Sequence, residues 1–162
     1  MAEANPSKNY TWKSLVVLLL ATLGAGALVG FLTQRDSSFY QNLVKPAFAP
    51  PGWVFPVAWT LLYTAMAVSM WLVLRKKGRD RFLLLGLYAA QLAVNLTWPF
   101  LFFMQKALGL AFFWLVLLWM LAAVMLGQFY RKSKAAGWLL VPYQLWLTFA
   151  GVLNFTIARL NP

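Results

Sequence analysis

The chain has 162 residues, is 62% hydrophobic and only 10% charged, and contains no Cys and no His. So few charges do not cover a water-soluble surface, which excludes a soluble globular domain. The same counts exclude disulfides, thiol chemistry, Cys/His metal centres, His- or Cys-ligated haem and any Ser-His-Asp or Cys-His catalytic group, and no metal site is expected.

Five uncharged apolar stretches follow one another at 13–33, 53–74, 82–104, 107–130 and 138–158. Each is long enough for an α-helix to cross the ~30 Å hydrocarbon core of a bilayer. The short links 75–81, 105–106 and 131–137 force antiparallel neighbours. The expected fold class is therefore an all-α membrane protein, a five-transmembrane-helix bundle forming one domain over 1–162.

Lys8 and Lys13 lead into the first span. Its Ala25-Gly26-Ala27 resembles a signal-peptide cleavage site, but the apolar run continues to Leu32, so it reads as a span. Gly26-x-x-x-Gly30 allows close helix approach. The next connection, 34–52, is the longest. Its Pro46, Pro50 and Pro51 fix φ and resist helix. With Phe48 and Trp53 they make a semi-rigid, partly apolar segment, and a lid over a pocket is the natural inference.

On the second span, Trp59, Tyr63, Met66 and Met70 form one stripe at helical spacing. On the third, Gln91, Asn95, Trp98 and Phe102 do the same. Side-chain amides are costly in lipid, so this stripe faces the bundle interior. Two readings of it stand: the amides glue helices together, or they line a pocket. Pro99, next to Trp98, is expected to bend the helix and widen the third span there. Gly86-x-x-x-Ala90 and Ala89-x-x-x-Ala93 suggest a homodimer through the third span, with the first span as the other candidate. The fourth span carries Trp114 and Trp119, read as core packing. On the fifth, Tyr143, Trp146, Ala150 and Asn154 share a face. Trp12, Trp53, Trp71 and Trp138 lie near span ends, as interfacial anchors do.

The net charge is +11. Lys8, Lys13, Arg75, Lys76, Lys77, Arg79, Arg81, Arg131, Lys132 and Lys134 fall on one side of the membrane, and Arg35, Lys45, Lys106 and Arg159 on the other. Positive-inside bias accounts for this and places the N-terminus in the cytoplasm. Anionic lipid headgroups are the expected partner of the basic side, and nucleic acid is not. Apart from Lys13 at its edge, no span contains an acid or a base, which removes support for a proton-coupled carboxylate, a voltage sensor or a charged ion filter. Neutral indoles, phenols and amides suit a ligand that is mostly apolar.

Three blocks carry a resemblance. They are KPAFAPPGWVFPVAWTLLY at 45–63, YAAQLAVNLTWPFLFF at 88–103, and PYQLWLTFAGVLNFTI at 142–157 closing on Leu160-Asn161. In order and spacing they resemble the TspO/MBR family, the translocator proteins or tryptophan-rich sensory proteins, also called peripheral-type benzodiazepine receptors. The compact form resembles bacterial members. The resemblance implies a ligand cavity under the first loop that takes protoporphyrin IX or another planar hydrophobic molecule, and benzodiazepine-site compounds. It implies that Trp59, Tyr63, Asn95, Trp98, Trp146, Ala150 and Asn154 line this cavity. From the stripes, Gln91 and Tyr143 join them. No tightly bound cofactor is expected, porphyrin being an exchangeable ligand. The family's sterol motif has Tyr where this chain has Phe155, which counts against sterol binding. Family members occur in mitochondrial or bacterial outer membranes, and charge asymmetry does not separate these from an inner membrane.

A tetrapyrrole-binding sensor or carrier is the leading expectation. The resemblance also allows a light-dependent porphyrin-degrading enzyme, with Trp59 and Trp146 as the paired indoles, since no residue here is a competent general base or nucleophile. A structural or partner-binding membrane protein, with the aromatics as packing only, is the third.

Overall fold

The computed structural model describes residues 11–33, 37–76 and 78–162. Lys8, Arg35 and Lys77, which enter the charge asymmetry above, lie outside the described residues. In chain order the helices are α1 (Trp12–Thr33), α2 (Ser37–Asn42), α3 (Val54–Leu74), α4 (Arg81–Pro99, continued by a π-wound segment Phe100–Met104), α5 (Leu108–Lys132) and α6 (Lys134–Leu160). All but α2 are long and apolar enough to cross a bilayer, giving five spans. A helix suits these runs because hydrocarbon offers no water to satisfy backbone N–H and C=O groups.

The expected boundaries hold to within two residues except at the fifth span. There α6 begins at Lys134 rather than 138. The apolar pattern stops at the charged residues, but the helix continues past the hydrocarbon. Ser133, extended at φ −154°, accepts a hydrogen bond from the Ala136 N–H and starts α6. Its own N–H donates to the Phe129 carbonyl at 2.8 Å and ends α5. A single residue thus joins the two longest helices. Arg131 and Lys132 sit in the last turn of α5, where cations complement the helix dipole. The hairpin closes this tightly because Gly137 lacks a side chain. A Cβ there would lie 2.7 Å from Tyr130 Cα.

The spans form a ring. α1 packs on α3, α3 on α6, α6 on α5, α5 on α4, and α4 returns to α1. α3 and α6 fill the middle of the bundle with Met66, Met70, Tyr143 and Leu147, and α5 adds Leu118, Met125 and Phe129, all essentially buried. The buried Ser69 hydroxyl donates to the Ala136 carbonyl at 2.7 Å and pins α3 to α6. Near the basic end, Asp80 at the start of α4 meets Lys132 Nζ at 2.7 Å. This hydrogen bond from the ammonium holds the Asp80 carboxyl below its ordinary range.

The expected departure at Pro99 takes the form of a change in winding. Pro99 has no N–H to give the preceding turn. Beyond it the Gln105 N–H bonds to the Phe100 carbonyl at 2.9 Å, a five-residue spacing. The wider π winding turns Phe102 inward, to 2% exposure. The span then reverses through Lys106, which has φ 55°. An L-residue in that left-handed conformation costs ~1–2 kcal/mol, partly offset in glycine by chain entropy. Lys106→Gly is expected to raise the melting midpoint in detergent by a few degrees, for a gain of about 1 kcal/mol. A midpoint that falls would show that the lysine stabilises the turn by other means.

Candidate functional site

The inward faces of α3, α4 and α6 meet in the half of the bundle opposite the basic end. From α3 comes Trp59, whose ring lies 5.2 Å from that of Tyr63 at 32°. It also stands nearly edge-on to Trp146 of α6, at 6.4 Å and 82°. Phe55, one turn before Trp59, meets Trp146 at 6.1 Å. From α4 comes Trp98, stacked on Phe102 at 5.0 Å. Phe55, Trp59, Trp98 and Trp146, with Asn95, Leu115, Leu118, Leu147 and Ala150, line a small cavity of about 20 Å³.

Below it runs a chain of buried polar groups. The Tyr63 hydroxyl donates to Asn95 Oδ1 at 2.8 Å, and Asn95 Nδ2 donates to the Tyr143 hydroxyl at 2.8 Å. The Tyr143 hydroxyl in turn donates to Gln91 Oε1 at 2.9 Å. The chain links α3, α4 and α6 and ends on Gln91 Nε2, which is buried with no acceptor. Beside the cavity, Trp98 Nε1 donates to Asn154 Oδ1 at 3.2 Å, and Asn154 Nδ2 to the Leu108 carbonyl at 3.0 Å. Trp146 Nε1 is enclosed and has no acceptor.

The sequence-predicted residues therefore separate into two groups. Trp59, Asn95, Trp98, Trp146 and Ala150 line the cavity. Tyr63, Gln91, Tyr143 and Asn154 are buried around it and hold these residues in place. Both readings of the amides have a place here: they tie helices together, and Asn95 also forms cavity wall. Leu115 and Leu118 of α5 were not anticipated, because a helix apolar on every side gives no contrast from which to read its inner face. Phe55 and Leu147 were also missed, although Phe55 lies one turn before Trp59 within the proline-rich block. Trp114 and Trp119, read as core packing, instead sit at helix–helix seams. Their indole N–H groups bond Thr97 and the Val94 carbonyl, and Thr148, respectively.

The connection to α3 covers this end of the bundle, but mainly through α2, which the proline-rich pattern did not announce. Phe39, Tyr40, Leu43 and Ala49 pack against the cluster of Phe102, Leu108, Ala111, Leu153 and Ile157. Of the expected lid residues, Phe48 meets Phe149 edge-on at 6.4 Å. Pro46 and Pro50 are half-buried, and Pro51 and Trp53 are exposed.

The cavity has room for roughly one water molecule, whereas sites for drug-sized ligands run to about 300–1,000 Å³. The crossed rings of Trp59 and Trp146 fill what would otherwise be its centre. With these rings in place the volume is too small for a planar guest. What the site offers is a set of flat apolar faces, one fully buried indole N–H without an acceptor, and no charge. Its lining presents stacking faces and a hydrogen-bond donor, and supplies no acid or base.

Known proteins share this pattern. The profile of the TspO/MBR family matches residues 16–160. A tryptophan-rich sensory protein of Cereibacter sphaeroides is 40% identical over 153 residues, covering 94% of each chain. The tryptophan-rich protein TspO of Chlorobaculum tepidum is 38% identical over 91% of this chain and 98% of its own. The translocator protein of Sus scrofa is 38% identical over 83% of this chain and 85% of its own.

Proposed function

The chain belongs to the TspO/MBR family of membrane proteins, and on that premise we propose that it binds protoporphyrin IX or a similar planar tetrapyrrole as a sensor or carrier. The observation that carries the reading is Trp146, whose indole N–H is buried without an acceptor on the wall of an aromatic cavity. A buried donor left unpaired costs free energy that a ligand acceptor would recover. Stacking of a flat ring on indole adds about 0.5–1.5 kcal/mol per pair beyond area burial. The reading extends to benzodiazepine-site compounds, which share the flat apolar body.

The test is a tryptophan-quenching titration with protoporphyrin IX in detergent. Trp146→Phe keeps an aromatic face but removes the donor, and is expected to weaken binding by about 3–10-fold, the worth of one hydrogen bond. Trp59→Leu removes a stacking face and is expected to weaken it comparably. Unchanged titrations for both variants would sink the site.

Positive-inside bias orients the protein with Lys13, Arg75, Arg79, Arg131 and Lys134 in the cytoplasm and the lid on the far side. The reading also includes a homodimer through α4. Of the Gly26-x-x-x-Gly30 pair on α1, Gly26 is used inside the bundle, where it abuts Tyr63. On α4, Gly86, Ala89, Ala90 and Ala93 are all exposed and leave a smooth face for a second copy.

A further inference from the structure

Among the described residues, one pair of hydrogen bonds fastens the lid to the body of the bundle. Asn161 lies just past the end of α6, and its side-chain amide pairs with both backbone groups of Val44. The Val44 N–H donates to Asn161 Oδ1 at 3.0 Å, and Asn161 Nδ2 donates to the Val44 carbonyl at 3.0 Å. The second hydrogen of Nδ2 bonds the Ile157 carbonyl at 2.9 Å, which fixes the amide against α6. The amide thus acts as a short strand partner, with both donors and its acceptor satisfied.

Among the described residues, no other hydrogen bond runs from 39–53 to α4, α5 or α6. The remaining bonds of this segment are its own or join it to the first turn of α3. Lys45 Nζ caps the Tyr40 and Gln41 carbonyls at the end of α2, and the Ala49 N–H bonds the Pro46 carbonyl. The rest of its grip is aromatic: Tyr40 against Phe55, Phe102 and Phe103, and Phe48 against Phe149. Ring contacts of this kind slide without a directional penalty. Two paired hydrogen bonds do not, and they must break before the segment can lift.

We propose that Asn161 is the latch of the lid, a positioning residue that sets how fast the cavity opens to ligand without touching the ligand itself. This rests on the reading of the cavity as the ligand site, and the need for opening follows from a volume too small for a planar guest beneath a segment that covers this end of the bundle. Asn161 caps the helix that carries Trp146, Ala150 and Asn154 and is bonded to its last turn, so cavity wall and latch move as one piece while the lid moves separately.

The chain has no cysteine, so a single reporter thiol is clean. Ala150→Cys places it in the cavity wall, and its reaction with a water-soluble maleimide follows lid opening without any ligand. Adding Asn161→Ala, which removes both bonds to Val44, is expected to raise the labelling rate by roughly tenfold. Asn161→Asp keeps the acceptor for the Val44 N–H and loses the donor, and is expected to give a smaller rise. It also serves if the alanine variant fails to fold. Protoporphyrin association and dissociation should both quicken in these variants in the absence of the reporter, with the dissociation constant changed less than either rate. Labelling that stays within twofold of the parent in the folded variants overturns the latch. Faster labelling without any porphyrin binding by the parent keeps the latch and rejects the porphyrin reading.

Discussion

Gly26→Ala will destabilise the bundle, although alanine is the better helix former. A Cβ at position 26 would lie 2.6 Å from Tyr63 Cδ2 and closer still to Cε2. The Tyr63 ring has no easy retreat. It is buried, stacked beside Trp59 at 5.2 Å, and its hydroxyl is held by Asn95 at 2.8 Å. Relief requires that α1 draw back from α3 or that Tyr63 abandon Asn95. Overpacking of this kind costs about 1–3 kcal/mol, which exceeds the roughly 1 kcal/mol of helix propensity gained. The expected result is a melting midpoint lowered by roughly 3–8 °C. Gly30→Ala, one turn further on, is the control, because nothing lies within 4 Å of a Cβ there. Its midpoint should hold or rise. Equal losses in the two variants would mean that α1 does not rest on Tyr63.

The second large effect is expected at Asn95. Leucine has about the same volume but neither donor nor acceptor. Asn95→Leu removes the acceptor of the Tyr63 hydroxyl and one donor to Tyr143, at the meeting point of three spans. Bonds between membrane helices contribute about 0.6–2 kcal/mol each, and a hydroxyl orphaned by the change adds to the loss. A destabilisation of about 2–4 kcal/mol is expected, with protoporphyrin binding weakened because Asn95 also forms cavity wall. Tyr63→Phe alone should lose less, since only Asn95 Oδ1 is left unpaired. The double variant should be scarcely worse than Asn95→Leu alone, because the two changes break the same bond. Additive losses would show that Tyr63 and Asn95 act independently.

The spans were legible because hydrocarbon imposes a simple rule, a long run of residues without charge, and the sequence obeys it five times. Where the rule is silent, so was the prediction. The first turn of α6 was lost because Lys134 and Gly137 look like a loop. Hydropathy marks the edge of the hydrocarbon, whereas the backbone continues its hydrogen bonds beyond it. The α2 segment, Ser-Ser-Phe-Tyr-Gln-Asn, is too short and polar for a periodic signal, and Phe39 and Tyr40 find their place only when Phe102 and Phe103 stand opposite them. In the site, polar residues gave themselves away. Gln91 and Asn95 had to turn inward, and they did. Leu115 and Leu118 carried no such mark. The closed volume was not readable at all, because it depends on the rotamers of Trp59 and Trp146 rather than on their presence. Asn161 appeared only as the close of a sequence block, since its role depends on the fold returning residue 44 to its side.

The one-residue turn at Ser133 has a mechanical consequence. With no slack between them, α5 and α6 cannot slide past or rotate about one another independently, so they form a fixed back plate that carries Leu115, Leu118, Trp146 and Ala150. The strain of admitting a guest must fall on the other side of the ring, where α3 and α4 meet each other far less closely than α3 meets α6 or α4 meets α5. The bundle is therefore built like a clasp with one stiff jaw and one compliant jaw, and the shape of any guest will be recorded in the compliant one.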